Sequence, residues 1–354
     1  MTSTAARAAT PKVREILCRI ERADLAAVGA LALLPLLVFA LPALLGHAVV
    51  PGDDFTQNYP LRAFVGSQVR HGHLPLYDPY IWSGAPLLGG WNAGAAYPLT
   101  ALFVILPATA AWTMNLVATW WVAGLGSFAF LRASRLSAGP SFLGAFSFSF
   151  AGAMTAQLVH FGLVAGASWI PLTLLALLRL SQLCTTSAGD ERSRRRLLKA
   201  RLIWCTVLAL TLAMTILAGE PRAITTAVVI VVLYLPWRTF RLGRRAGPFL
   251  VFAILGLFLA ACLGAVQWLP GTEAVHTSQR SASTYYLFTS GSLSLKWLFL
   301  MVVPDLLGGS GSYGQPTFLA TYNLTEVTGY VGLMPLVASF ALFVQLRRRR
   351  PVPE

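Results

Sequence analysis

Two adjacent carboxylates, Asp53 and Asp54, stand in PGDDFTQNYPLRAF (residues 51–64), just beyond a long apolar run. Pro-Gly-Asp favours a turn, so the pair can be a solvated helix terminus. A carboxylate at the mouth of a membrane cavity can also act as a general base, taking a proton from an acceptor hydroxyl while a lipid-phosphate leaving group departs. It can equally hold a divalent cation, Mg or Mn, beside that phosphate. A second charged group lies in AGEPRA (218–223), where Glu220 and Arg222 share the tight turn between two apolar runs. That couple is either a structural latch or a phosphate or sugar contact, since the arginine fork is planar and permanently charged. His71 and His73 form an H-x-H pair with metal-ligand types, although a surface pair of this kind also makes local hydrogen bonds. Trp82 and Trp91 offer faces for stacking on a sugar or for anchoring at a membrane interface.

The elements that must position these residues are apolar. The chain has 354 residues, 56% hydrophobic and 11% charged, against about 25% charged in soluble domains. Mean hydropathy is +0.65. A spanning helix needs about 20 mostly apolar residues. Runs that meet or approach this length cover roughly 25–49, 110–131, 141–158, 162–181, 202–219, 223–237, 247–269 and 328–346, giving about eight spans. The first run follows a charged segment and exceeds a signal h-region, which predicts a retained helix. The expected fold is an all-α polytopic membrane protein. It has a basic cytoplasmic tail over 1–24, one transmembrane domain over 25–346, and a second basic tail over 347–354.

Charge orients this layout. The formal net charge is +14. With the N-terminus inside, only Arg62, Arg70, Arg222, Arg280 and Lys296 fall outside among the 27 Lys and Arg residues. The remainder, including RSRRR and RRRR, gather on the cytoplasmic side as the positive-inside rule requires. The basic total is thereby explained without nucleic acid as a partner. Cys18, Cys184, Cys205 and Cys262 lack CxxC spacing and read as free thiols.

Two long segments, about 50–109 and 270–327, are then extracytoplasmic. In the first, Phe55, Tyr59, Phe64, Val65 and Val69 recur near helical spacing. Gln57, Asn58, Arg62, Gln68 and Arg70 take the other positions, which predicts an amphipathic helix along the outer surface. LTALFVILP and LKWLFLMVVP are each about half a span. The outer acids are Asp53, Asp54, Asp78, Glu220, Glu273, Asp305 and Glu326, several at helix ends where a carboxylate near hydrocarbon needs a partner or a function. Asn323 opens a sequon in the second outer segment.

The pattern PGDDFTQNYP, then GHLPLYDPYIWSGAPLL, then AAYP resembles the first outer loop of YfhO-type bacterial membrane proteins. The matching residues are Gly52, Asp53, Gln57 and Pro60; Gly72, Pro75, Leu76, Tyr77 and Pro79; Gly84 and Pro86; and Tyr97 and Pro98. GEPR resembles that family's G-H-P-[QR] turn, with Glu220 in place of the histidine. TEVTGYVGLMPL resembles its E-x-x-x-YVG-x-x-PL segment through Glu326, Tyr330 and Gly332. The family is similar to the GT-C membrane glycosyltransferases. The resemblance implies a GT-C-like long first outer loop with interfacial helices. It also implies a polyprenyl-phosphate-linked sugar donor and an extracytoplasmic glycan or lipid acceptor. The implied general base is Asp53, with Asp54 tuning its pKa or helping a divalent cation. Substrate contacts would come from Gln57, Arg62, Tyr77, Trp82, Glu220, Arg222 and Glu326.

Three readings compete. The first is an inverting glycosyltransferase of the bacterial cytoplasmic membrane. The second is a transporter or flippase for a lipid-linked sugar, for which ionisable groups near the mid-membrane would be expected. The third is a non-catalytic partner in cell-envelope assembly. A serine hydrolase is unsupported, because G-x-S-x-G is absent and the five histidines have no clear serine partner.

Overall fold

The computed structural model describes residues 21–347, apart from residues 82, 187–188, 283, 290–291, 293–294, 305, 310–323 and 328. Trp82, Asp305, Asn323, Cys18 and the basic residues of both tails up to 20 and from 348 lie outside the described residues. The rest is mostly helical, and six stretches are long and apolar enough to cross a membrane. They are Arg22–Leu44, Ala108–Ala133, Ala138–Val159, Phe161–Cys184, Glu191–Leu217 and Pro221–His276.

We label the first stretch α1 and the helix Tyr59–Arg70 α2. Next come α3 (Ala108–Ala133), α4 (Ala138–Ser149), α5 (Phe161–Ala167) and α6 (Ile170–Cys184). The remaining helices are α7 (Glu191–Leu217), α8 (Pro221–Leu242), α9 (Ala246–His276) and α10 (Leu333–Arg347). The sixth apolar stretch is thus two helices, α8 and α9. The eighth expected span is the 15-residue α10, which is shorter than a full crossing. A small hairpin of two-residue strands, β1 (Tyr77–Asp78) with β2 (Ala85–Pro86), lies in the turn-rich stretch that follows α2.

Small residues line the contact between α9 and α7. Ala253, Gly256, Ala260 and Gly264 are buried on one stripe of α9, while Ile254, Phe258 and Val266 on other faces are exposed. A Cβ on Gly256 would meet Leu208, and one on Gly264 would meet Ile216, both on α7. Such stripes let helix backbones approach where lipid removes the hydrophobic drive for association. The main core cluster lies nearer the outer segment. There Trp112 and Trp120 of α3 pack with Phe39, Tyr97, Phe103 and Phe161. Trp112 Nε1 donates to Val49 O at 2.8 Å, fixing the chain that leads from α1 to Asp53.

The chain alternates between two ends of the bundle. At one end Arg132 pairs with Asp24 at 2.7 Å, and Arg238 donates to Ser181. The turns around 160 and 219 lie at the other end, with the first outer segment packed over them.

The sequence predicts a surface helix here with an apolar and a polar set of positions, and does not say which set meets protein. Asp54, Asn58 and Arg62, spaced i, i+4, i+8, face inward and are buried together with Val65, while Phe55 is 71% exposed. Inside a membrane bundle the polar stripe finds its partners inward, and apolar groups can turn to lipid or headgroups. Pro60 contributes to the geometry. It has no N–H for the preceding turn, and residues 54–58 widen into a π-turn in which Tyr59 N–H reaches Asp54 O.

Candidate functional site

Asp53 and Asp54 are neighbours in sequence and occupy opposite environments. The Asp54 side chain is fully buried. Its Oδ1 accepts from Phe161 N–H at the start of α5 and from Asn58 Nδ2, both at 2.9 Å. Burial pushes its pKa up to about 7, against the lowering effects of Phe161 N–H, Arg62 and Asn58. The charge of Asp53 raises it least, so the expected carboxylate–carboxylate coupling is a minor cause and desolvation the main one.

Arg62 was expected to meet substrate, but its side chain is also fully buried. Nη1 donates to Thr100 Oγ1 at 2.6 Å and Nη2 to Ala218 O at 2.9 Å. The guanidinium lies over the rings of Phe161 and Tyr97, at 4.9 and 5.8 Å from their centroids. Burial lowers its pKa to about 10 and raises that of Tyr97 to about 12, so Arg62 remains a cation at neutral pH. Two glycines make room for this junction. Gly94 (φ +48°) would drive a Cβ into the guanidinium, and Gly219 (φ +89°) would drive one into the backbone of Trp91 and Gly94. Arg62 therefore ties the first outer segment to the α7–α8 turn.

Asp53 lies on the open side of this junction, with its side chain 60% exposed. Its Oδ2 is 3.4 Å from His160 Nε2, which is 3.7 Å from Glu326 Oε1. Both Glu326 oxygens accept from Arg222 Nη1, at 3.0 and 3.2 Å. Arg222 Nε and Nη2 in turn donate to Glu220, at 3.1 and 3.4 Å. Four separate stretches of chain thus converge: the turn after α1, the α4–α5 connection, the α7–α8 turn and the segment before α10. Glu326 is carried in by docking of its segment on the α4 end, where Gly152 N–H donates to Tyr330 O and Ser147 Oγ to Val331 O, both at 2.6 Å. Gln157 completes the group, donating through Nε2 to Thr325 O at 2.7 Å while its Oε1 faces His160 Nδ1 at 3.1 Å.

The structure thus brings Asp53, Glu220, Arg222 and Glu326 together. Gln57 instead accepts from Asn92 Nδ2 at 2.9 Å within the first outer segment. Tyr77 sits on β1 with its hydroxyl against Gly84. His71 Nδ1 lies 2.8 Å from Ser67 O, a local contact at the end of α2. His160 and Gln157 were missed as site residues. Their signal was a Q-x-x-H placed in a turn between two apolar runs, facing the outer acids once the runs are laid antiparallel.

The aspartate pair does not suit a cation shared between both residues. Asp54 Oδ1 already accepts two N–H donors, and its carboxylate is buried near the Arg62 cation while Asp53 faces outward. Among the described residues no group of three or more His, Cys, Asp or Glu side chains is arranged to hold a metal ion.

The buried carboxylate gives a pH prediction. Because the folded pKa of Asp54 is raised, the stability associated with its protonation is complete below about pH 4 and lost as pH rises through about 7. Asp54→Asn keeps the Oδ1 acceptor and cannot ionise. Its stability relative to wild type is expected to rise by about 2–3 kcal/mol between pH 5 and 8, read from thermal unfolding in detergent at each pH. A difference that stays flat across this range would contradict the buried, titrating Asp54.

No protein-family model matches the chain, and neither a curated protein nor a solved structure is significantly similar to it.

Proposed function

We propose that the chain is a membrane glycosyltransferase that moves a sugar from a polyprenyl-phosphate donor to an extracytoplasmic glycan or lipid acceptor. Asp53 is the general base. Its carboxylate takes the proton of the acceptor hydroxyl as that oxygen attacks the anomeric carbon, and the sugar–phosphate bond breaks with the electron pair leaving on phosphate. One base and no covalent sugar–enzyme bond give inversion at the anomeric carbon.

The observation that carries this reading is the exposed Asp53 carboxylate at the centre of a charged cluster drawn from four parts of the chain. The YfhO-type pattern around Asp53, Glu220–Arg222 and Glu326 adds to it, because those motifs are the parts that converge. Arg222 supplies a permanent cation, 43% exposed, for the donor phosphate. A groove of about 430 Å³ begins at Arg222 and continues past Thr225, Thr226, Val229 and Ile230 of α8. Its polar mouth and apolar length suit a phosphate carried on a hydrocarbon chain. The six apolar stretches embed the chain in a bilayer as a multi-pass protein. The basic residues at the opposite end support a cytoplasmic basic end in a bacterial inner membrane. Charged side chains lie near the ends of the described helices and not at their centres, which favours surface chemistry over transport through the mid-membrane.

The test is release of polyprenyl phosphate from a panel of hexosyl and pentosyl polyprenyl-phosphate donors, using the full chain in vesicles with membrane glycoconjugates as acceptors. Turnover of at least one donor is expected. Absence of turnover across the panel would turn the assignment toward a non-catalytic assembly partner.

A further inference from the structure

The hydrogen bonds around His160 fix its tautomer, and with it a direction for proton movement. Gln157 Nε2 donates to Thr325 O at 2.7 Å and approaches Glu326 Oε2 at 3.4 Å, both pure acceptors. The amide is thereby oriented with Oε1 toward His160 Nδ1 at 3.1 Å. A carbonyl oxygen can only accept, so Nδ1 carries the hydrogen. In the neutral ring Nε2 is then a bare lone pair. That lone pair faces Asp53 Oδ2 at 3.4 Å and Glu326 Oε1 at 3.7 Å. A neutral imidazole held in this way can accept a proton from Asp53 and has none at Nε2 to give.

We propose that His160 is the proton acceptor behind Asp53. Building on the proposed glycosyl transfer, the acceptor hydroxyl loses its proton to Asp53. The Asp53 O–H bond then breaks as the Nε2–H bond of His160 forms, restoring the carboxylate, and the imidazolium releases this proton to solvent before the next turnover. The imidazolium so made lies between Asp53 and Glu326. Arg222 balances Glu326 from its far side, and Glu220 balances Arg222 in turn. Asp54 faces the same turn from beneath, where its bond to Phe161 N–H anchors the residue after His160. His160 acts through Asp53, so it is a positioning and proton-holding residue, and Gln157 sets its tautomer.

The test is ¹⁵N NMR of ring-labelled histidine in the full chain in nanodiscs, with the His160 signals assigned by their loss in His160→Gln. The neutral His160 ring is expected to show a protonated Nδ1 and a bare Nε2. Gln157→Leu removes the acceptor and is expected to shift the population toward Nε2–H. A wild-type neutral ring protonated at Nε2 would overturn the inference, as would a tautomer unchanged in Gln157→Leu. In the transfer assay, His160→Gln is expected to lower kcat at least tenfold with donor KM unchanged; an unchanged kcat would also overturn it. The tautomer is read without turnover, so a chain that transfers no sugar would count against the proposed function, while the NMR result would still decide the proton direction.

Discussion

Replacing Arg62 with Met is expected to destabilise the folded chain by about 3–5 kcal/mol, the cost of removing one member of a buried charged network. The guanidinium is the shared partner of Thr100 and Ala218, and it is the nearby cation for the buried Asp54. Without it, Ala218 O and the Asp54 charge are left buried with less compensation, and Met cannot supply a donor. The loss is read as a lower midpoint of thermal unfolding of purified protein in detergent, or as collapse of the monodisperse peak on size exclusion. Combining Arg62→Met with Asp54→Asn is expected to cost less than the sum of the two changes, because the second substitution removes the charge that the first strands. Near-additive losses would show that the two side chains do not belong to one electrostatic unit. An Arg62→Met chain as stable as wild type would show that the junction does not hold the first outer segment in place.

Asp53→Asn is expected to lower kcat for sugar transfer by about 10²–10⁴-fold, the usual contribution of a general base. Donor KM is expected to change little, since Arg222 and the α8 groove, not Asp53, are assigned to the donor. Folding is expected to be spared. The Asp53 side chain is mostly exposed, and Asn preserves its shape and its capacity to accept a hydrogen bond. A fall in kcat with unchanged unfolding temperature therefore separates chemistry from structure. A rise in KM with kcat intact would instead make Asp53 a binding residue.

Much of the architecture was legible in the apolar runs. The runs at 110–131 and 247–269 fall within α3 and α9, and the run at 202–219 passes the end of α7 by two residues, because length and hydropathy decide what a bilayer accepts. The breaks at Phe150–Ala151 and Ser168–Trp169 were not legible, since Gly- and Ser-rich apolar sequence reads much the same whether a helix continues or unwinds. Which face of α2 packs inward was not legible. Periodicity identifies two faces but not which one meets protein, and in a membrane bundle the polar stripe Asp54–Asn58–Arg62 is the one that packs inward. The site was legible in part. Asp53, Glu220, Arg222 and Glu326 were marked by being charges at the ends of apolar runs. His160 and Gln157 carried no charge pattern of their own, and they acquire meaning once the 157–160 turn is placed beside Asp53 and the Thr325–Glu326 segment.

The measurement that tests the central claim most directly is incorporation of labelled sugar from polyprenyl-phosphate donors into membrane glycoconjugates. Membranes carrying wild type, Asp53→Asn or Asp54→Asn at matched levels would be compared. Incorporation by wild type and by Asp54→Asn, with loss of at least 99% in Asp53→Asn by the general-base estimate, is the predicted result. Full incorporation by Asp53→Asn would contradict it and would remove the exposed carboxylate from the reaction.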